Sequence, residues 1–120
     1  MSPLRSPASD RIELLKGTLD LLVLRTLVFG PMHGHGIAKA IQSQSDDLLL
    51  VEHGSLYPAL HRLEDRGLIV SEWGMTEHNR RAKFYRLTTA GKKQLRSAHQ
   101  YWSRFAGAVF KVLETAPEPV

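Results

Sequence analysis

The stretch Gly54–Gly67, GSLYPALHRLEDRG, constrains this chain more than any other. Leu56, Leu60 and Leu63 recur at spacings of four and three, so a helix places them on one face, and that face must be buried. Ser55 suits the N-cap. Pro58 then falls in the first turn, where its missing N–H removes no helical bond. Gly67 stands where a helix commonly ends in a left-handed residue. Such a short helix is marginal alone and must be held by its leucines packing on other elements. Its other face carries Tyr57, Pro58, His61, Arg62 and Asp65. A phenol, an imidazole and a guanidinium displayed together suit phosphates and base edges.

The surrounding chain supplies the elements that such a helix needs. Residues 1–12 read as a loose arm with two prolines. A helix runs from Glu13 or Leu14 to Phe29, with one stripe of Leu15, Leu19, Leu22 and Val23 and another of Leu21, Leu24 and Val28. A helix apolar on most sides is buried on most sides. Gly30-Pro31 stops it, and Met32 to Gly36 reads as a turn. A second helix follows from about Gly36 to Ser43 or Ser45, and Leu48 to Val51 reads as a small strand or extended lead-in. After Gly67 the pattern becomes that of strands, over Leu68–Trp73 and Ala82–Leu87, with a polar hairpin tip between them. Three helices and a two-stranded hairpin predict a mainly α (α+β) fold, a winged helix-turn-helix over residues 13–88. In that architecture the third helix enters the major groove and the hairpin lies along the backbone or the minor groove.

Thr88 is the expected N-cap of a last helix over residues 89–114. There Leu95, Ala98, Trp102, Phe105, Val109 and Val112 follow at spacings of 3, 4, 3, 4 and 3, a heptad seam. Tyr101, Phe110 and Leu113 widen the apolar face beyond what one small chain can cover. The seam therefore asks for a second copy, although the first helix takes part of the surface. A C-terminal dimerisation helix follows, and a homodimer suits DNA read as paired half-sites, a palindromic operator. Residues 115–120 read as a disordered tail.

Charge supports the same reading. The 120 residues carry a net charge of only +4, yet no Asp or Glu occurs from His78 to Leu113, where nine Lys and Arg fall. A block of one sign makes a field that attracts polyanions, although a merely solvated face has the same composition. Hydrophobic content of 42% and no long apolar run or leader pattern at Met1–Asp10 predict one soluble, cytoplasmic domain without a membrane span. The absence of cysteine excludes disulfides and thiolate chemistry.

The motifs LLKGTLDLLVLRTL, GPMHGHGIAKAI, VEHGSLYPALHRLEDRGLI and NRRAKFYRLTTAGKKQL, followed by one amphipathic helix, resemble the PadR family of bacterial transcriptional regulators. The resemblance covers about Leu14 to Leu113. It implies a homodimeric winged helix-turn-helix protein, usually a repressor, that dimerises through its C-terminal helix. The single final helix looks like the shorter-tailed branch. Where the family commonly has an aromatic after His33-Gly34, this chain has His35, a departure expected to lie in a turn.

The expected DNA-contacting residues are Ser55, Tyr57, Pro58, His61 and Arg62 on the third helix, with His78, Asn79, Arg80, Arg81 and Lys83 on the wing. His61 and Arg62 lie on the face opposite Leu56, Leu60 and Leu63, so truncating them is expected to spare the fold, and a bidentate base contact by Arg62 would be worth about 1–3 kcal/mol. Trp102 and Phe105 suit either core packing or a flat aromatic pocket at the dimer axis for a small aromatic effector. His33 and His35 lack a third ligand at fixed spacing, so no metal is expected. Ser55 beside His53 or His61 is better explained as a helix cap than as a nucleophile, and no phosphate-loop spacing occurs, so neither an enzyme nor a cofactor is expected. A winged-helix module that dimerises and binds protein instead of DNA is the alternative, although such modules usually lack a basic wing.

Overall fold

A computed structural model of the protein describes residues 16–118. The N-terminal arm, the helix start at Glu13 or Leu14, Leu15, Pro119 and Val120 lie outside the described residues. Helix α1 (Lys16–Thr26) continues as a 3-10 turn over Leu27–Phe29 and leads into the short strand β1 (Met32–His33). Helices α2 (Gly34–Gln44) and α3 (His53–Asp65) follow. Strands β2 (Ile69–Met75) and β3 (Arg81–Leu87) form the hairpin, and helix α4 (Thr89–Glu114) ends the fold.

The core forms where the apolar stripes converge. Leu19, Val23, Leu24 and Leu27 from the first helix meet Ile37 and Ile41 from α2 and Leu56, Ala59, Leu60 and Leu63 from α3. Leu68, Ile69, Tyr85 and Leu87 close the core from the hairpin, and Leu95 closes it from α4. Val28 departs from the expected second stripe and is exposed, because the 3-10 turn rotates it away from the core. The run Leu48–Val51 forms no strand beyond a single bridged residue, Leu49, and only Val51 in it is buried.

The sheet has three strands rather than two, in the order β1-β3-β2 and antiparallel throughout. Met32 pairs with Tyr85 and His33 with Phe84, so the expected turn at Met32–Gly36 is an edge strand followed directly by a helix. His33 makes that transition possible: its Nδ1 accepts a hydrogen bond from the Gly36 N–H at 3.0 Å, capping α2. His35 consequently lies in the first turn of a helix and not in a loop.

The start of α3 also differs from expectation. Glu52, not Ser55, occupies the N-cap, and the Ser55 and Leu56 N–H groups both donate to the Glu52 carbonyl. The helix therefore begins three residues earlier than a cap at Ser55 would start it, and Pro58 sits inside it. Pro58 removes the bond to the Gly54 carbonyl, and both residues are solvent-exposed, where water replaces the missing donor. At the other end Gly67, at φ +72°, ends α3 as the sequence indicates. Its N–H donates to the Glu64 carbonyl and the Leu68 N–H to the Leu63 carbonyl, which turns the chain sharply into β2. Thr88 caps α4 as expected, its Oγ1 accepting from the Gly91 N–H at 3.0 Å.

Arg62 is placed differently from its expected role. Its guanidinium donates to both carboxylate oxygens of Asp20 on α1, at 2.7 and 3.5 Å. The side chains are 30% and 17% exposed, so the pair is half-desolvated and ties α3 to α1. The guanidinium is thus engaged by an internal carboxylate in the DNA-free chain, which gives Arg62 a structural role that its helical phase did not indicate. Arg62→Ala should destabilise the fold by about 1–2 kcal/mol, between the values for exposed and buried pairs. Urea unfolding of Arg62→Ala, Asp20→Ala and the double variant checks this. Additive losses would mean that the two side chains are not coupled.

Candidate nucleic-acid interface

The alternation of β2 and β3 sets one wall of a cleft. Registration places Ile69, Ser71, Trp73 and Met75 on one face with Leu87, Tyr85, Lys83 and Arg81 opposite them. At the base of the hairpin this face is core, through Ile69, Tyr85 and Leu87. Further out the same face turns exposed and cationic, with Trp73, Lys83 and Arg81. Ser71 Oγ donates to the Glu64 carboxylate of α3 at 2.7 Å, which fixes the wing face toward that helix.

The opposite wall is the exposed side of α3 together with the start of α2. Tyr57 leans over Gly34, where a Cβ would stand 2.8 Å from the Tyr57 hydroxyl oxygen, so the two helices meet closely there. Edge-to-face contacts join Tyr57 to His53 and His53 to His35, and the His35 ring stacks over His33. The space between the walls is about 940 Å³. Tyr57, His61, His33, His35, Trp73, Thr76, His78, Arg80, Arg81, Lys83 and Tyr85 line it, and no carboxylate does.

The far end of the cleft is a fixed loop. At Thr76–Arg80 the Thr76 N–H donates to the Arg80 carbonyl, and Thr76 Oγ1 accepts from the His78 and Arg80 N–H groups. Asn79 takes φ +62°, a conformation that asparagine tolerates better than most residues, so its presence has a backbone reason. Arg80 and Arg81 are thus carried on an ordered tip. Deeper in the cleft the Tyr85 phenol is pushed up, by burial first and then by the nearby Glu64 and Tyr57. It remains a neutral hydroxyl at physiological pH.

Of the expected residues, the fold brings Tyr57, His61, His78, Arg80, Arg81 and Lys83 together around the cleft. Ser55 and Pro58 are exposed on α3 beyond its lining, and Asn79 sits at the tip. Sequence reasoning missed Trp73, His33, His35, Thr76 and Tyr85. The strand period carries a signal for Trp73, two residues on from Ser71 and four from Ile69, but only the hairpin register places it against Arg81 and Lys83. Among the described residues no group of three or more His, Cys, Asp or Glu is placed to hold a metal ion. None of the described helices is long and apolar enough to cross a membrane.

The same fold recurs in known proteins. Residues 23–97 match the transcriptional regulator PadR-like family. The transcriptional regulator Rv3488 of Mycobacterium tuberculosis is 32% identical over 83 residues, 69% of this chain and 74% of that protein. A PadR family transcriptional regulator from Eggerthella lenta is 35% identical, with a TM-score of 0.70 over 84% of this chain and 86% of that one. A transcriptional regulator from Clostridium thermocellum is 31% identical, with a TM-score of 0.72 over 80% of this chain and 93% of that one. The match runs from the middle of α1 into α4 and takes in both walls of the cleft. The chain belongs to the PadR-like family of transcriptional regulators, which are not enzymes.

Proposed function

We propose that the protein is a DNA-binding repressor that works in the cytoplasm as a homodimer on a palindromic operator. The observation that carries this reading is the cleft between α3 and the wing, lined by three cations and no carboxylate. One strand of duplex backbone runs through it. Tyr57 and His61 then face the major groove, with Ser55 and Pro58 beside them. Arg80, Arg81, Lys83, His78 and Asn79 hold the adjacent backbone or minor groove.

The exposed stripe of α4 supports the dimer. Trp102, Phe105, Val109 and Val112 are all exposed, whereas Leu95 is buried in the chain's own core and Ala98 is half-buried. The seam expected from the sequence thus divides: its first residue packs within the chain, and the stripe from Trp102 onward is left for a second copy. Trp102 and Phe105 lie 5.7 Å apart, and Tyr101 stacks on Phe105 at 6.3 Å. Two copies would bring two such clusters to the dimer axis, where a small aromatic effector could relieve repression.

A mobility shift on the protein's own upstream DNA tests the reading against the protein-binding alternative, which gives no shift. Arg80→Ala with Arg81→Ala should weaken binding to every DNA sequence and flatten the salt dependence by roughly one to two units of log–log slope. An unchanged slope would mean that the wing does not touch the backbone.

A further inference from the structure

Trp73 is a large aromatic side chain that lines the cleft and is left uncovered on the wing. It is 58% exposed, well outside the core that holds Tyr85 and Leu87 on the same strand face. The Arg81 guanidinium lies over its ring at 4.8 Å from the centroid, and the Lys83 ammonium lies at 5.8 Å. Lys83 is the direct cross-strand partner of Trp73, and Arg81 is its diagonal neighbour. Two cations beside one indole repel each other, and the electron-rich ring face offsets that repulsion while restricting both side chains. They sit two residues apart on β3, so one pleat repeat of roughly 7 Å separates their backbones. Successive phosphates along one strand of duplex DNA have a comparable spacing.

We propose that Trp73 is a nucleic-acid-contacting residue: its indole covers the deoxyribose between two consecutive phosphates and seats Arg81 and Lys83 on them. The occupant is the phosphodiester strand already placed in the cleft, so the assignment rests on the DNA-binding reading above. The chemistry suits a sugar. A deoxyribose offers an apolar C–H surface flanked by two anions, and the wing offers an apolar ring flanked by two cations. The contact is indifferent to base sequence, so it contributes to affinity and to the reach of the wing, not to operator choice.

The full-length protein and a short random-sequence duplex at low salt provide the test. The chain holds two tryptophans, so the difference between the unsubstituted protein and Trp73→Phe isolates the emission of Trp73. On adding duplex, that component should become shielded from acrylamide. Trp73→Ala should bind the duplex about tenfold more weakly, the scale of a lost aromatic contact, with a flatter salt dependence because both cations lose their seat. Trp73→Phe, which keeps a ring, should recover most of the affinity and slope. Should Trp73→Ala prove misfolded by circular dichroism, the shielding measured on the unsubstituted protein decides alone. A bound duplex that leaves Trp73 as open to acrylamide as before overturns the assignment while the DNA-binding reading stands. No binding by the unsubstituted protein overturns both.

Discussion

Replacing Phe105 and Val109 together with glutamate should leave a folded protein that lacks the proposed homodimer. Helix α4 extends to Glu114, and beyond the half-buried Ala98 every residue except Ala106 is exposed. The sixteen residues from His99 to Glu114 make a rod of roughly 24 Å, at 1.5 Å per residue, that gains little from its own chain. An isolated helix of that length is marginal in water, so something must cover its apolar side. Phe105 is 49% exposed and Val109 40%, one turn apart on that side. A large apolar side chain contributes about 1.5–3 kcal/mol when fully buried, and these two have much of that burial still to gain. A two-fold axis applies each substitution twice, and it would gather four carboxylates in one seam. Sedimentation should therefore show a monomer that keeps its core, because neither side chain belongs to it, with an unfolding midpoint lowered by whatever stability association supplied. Affinity for paired half-sites should fall at least about a hundredfold, and affinity for one half-site far less, because only the dimer fixes their spacing. A variant that still sediments as a dimer would mean that the stripe has another role.

The largest loss of stability is expected from one added methyl group. In most helices Gly→Ala stabilises by up to about 1 kcal/mol. At Gly91 the sign should reverse. A Cβ there would stand against the Leu68 carbonyl oxygen inside van der Waals distance, and 3.1 Å from Leu87 Cδ2. The oxygen cannot retreat easily, since it accepts the Thr88 N–H at 3.1 Å. Thr88 Oγ1 also donates to the Gly67 carbonyl at 2.7 Å while accepting from Gly91 itself. The end of α3, the start of β2 and the start of α4 are thus pinned at one point. Gly91→Ala should cost at least about 3 kcal/mol, the upper range for overpacking, out of a total of roughly 5–15 kcal/mol. Calorimetry should show the melting temperature falling by about 10 °C or more. A neutral or stabilising effect would mean that α4 can slide away from the hairpin.

The residues that read correctly from the sequence did so because their signals were local. The leucine stripe of α3, the left-handed Gly67 and the Thr88 cap each depend on neighbours within about one helical turn. The residues that did not read correctly depend on distant partners. Arg62 has the helical phase of an exposed residue, but Asp20 lies forty-two positions earlier and claims it. Strand β1 is two residues long and exists only because β3 pairs with it. Ser55 has better cap chemistry than Glu52, yet the helix begins at His53, just after the buried Val51. The cationic cleft shows the same division. The charge run from Arg80 to Lys83 is visible in the chain, whereas Trp73 beneath those cations emerges only from the hairpin register.

Hydroxyl-radical footprinting of the full-length protein on its own upstream DNA tests the central claim most directly, because it reads the sugar–phosphate backbone said to run through the cleft. Protected patches should appear in pairs, related by two-fold symmetry. Their centres should be separated by about 10–10.5 base pairs or a multiple of that spacing. Uniform cleavage at saturating protein, or a single unpaired patch, would contradict the claim.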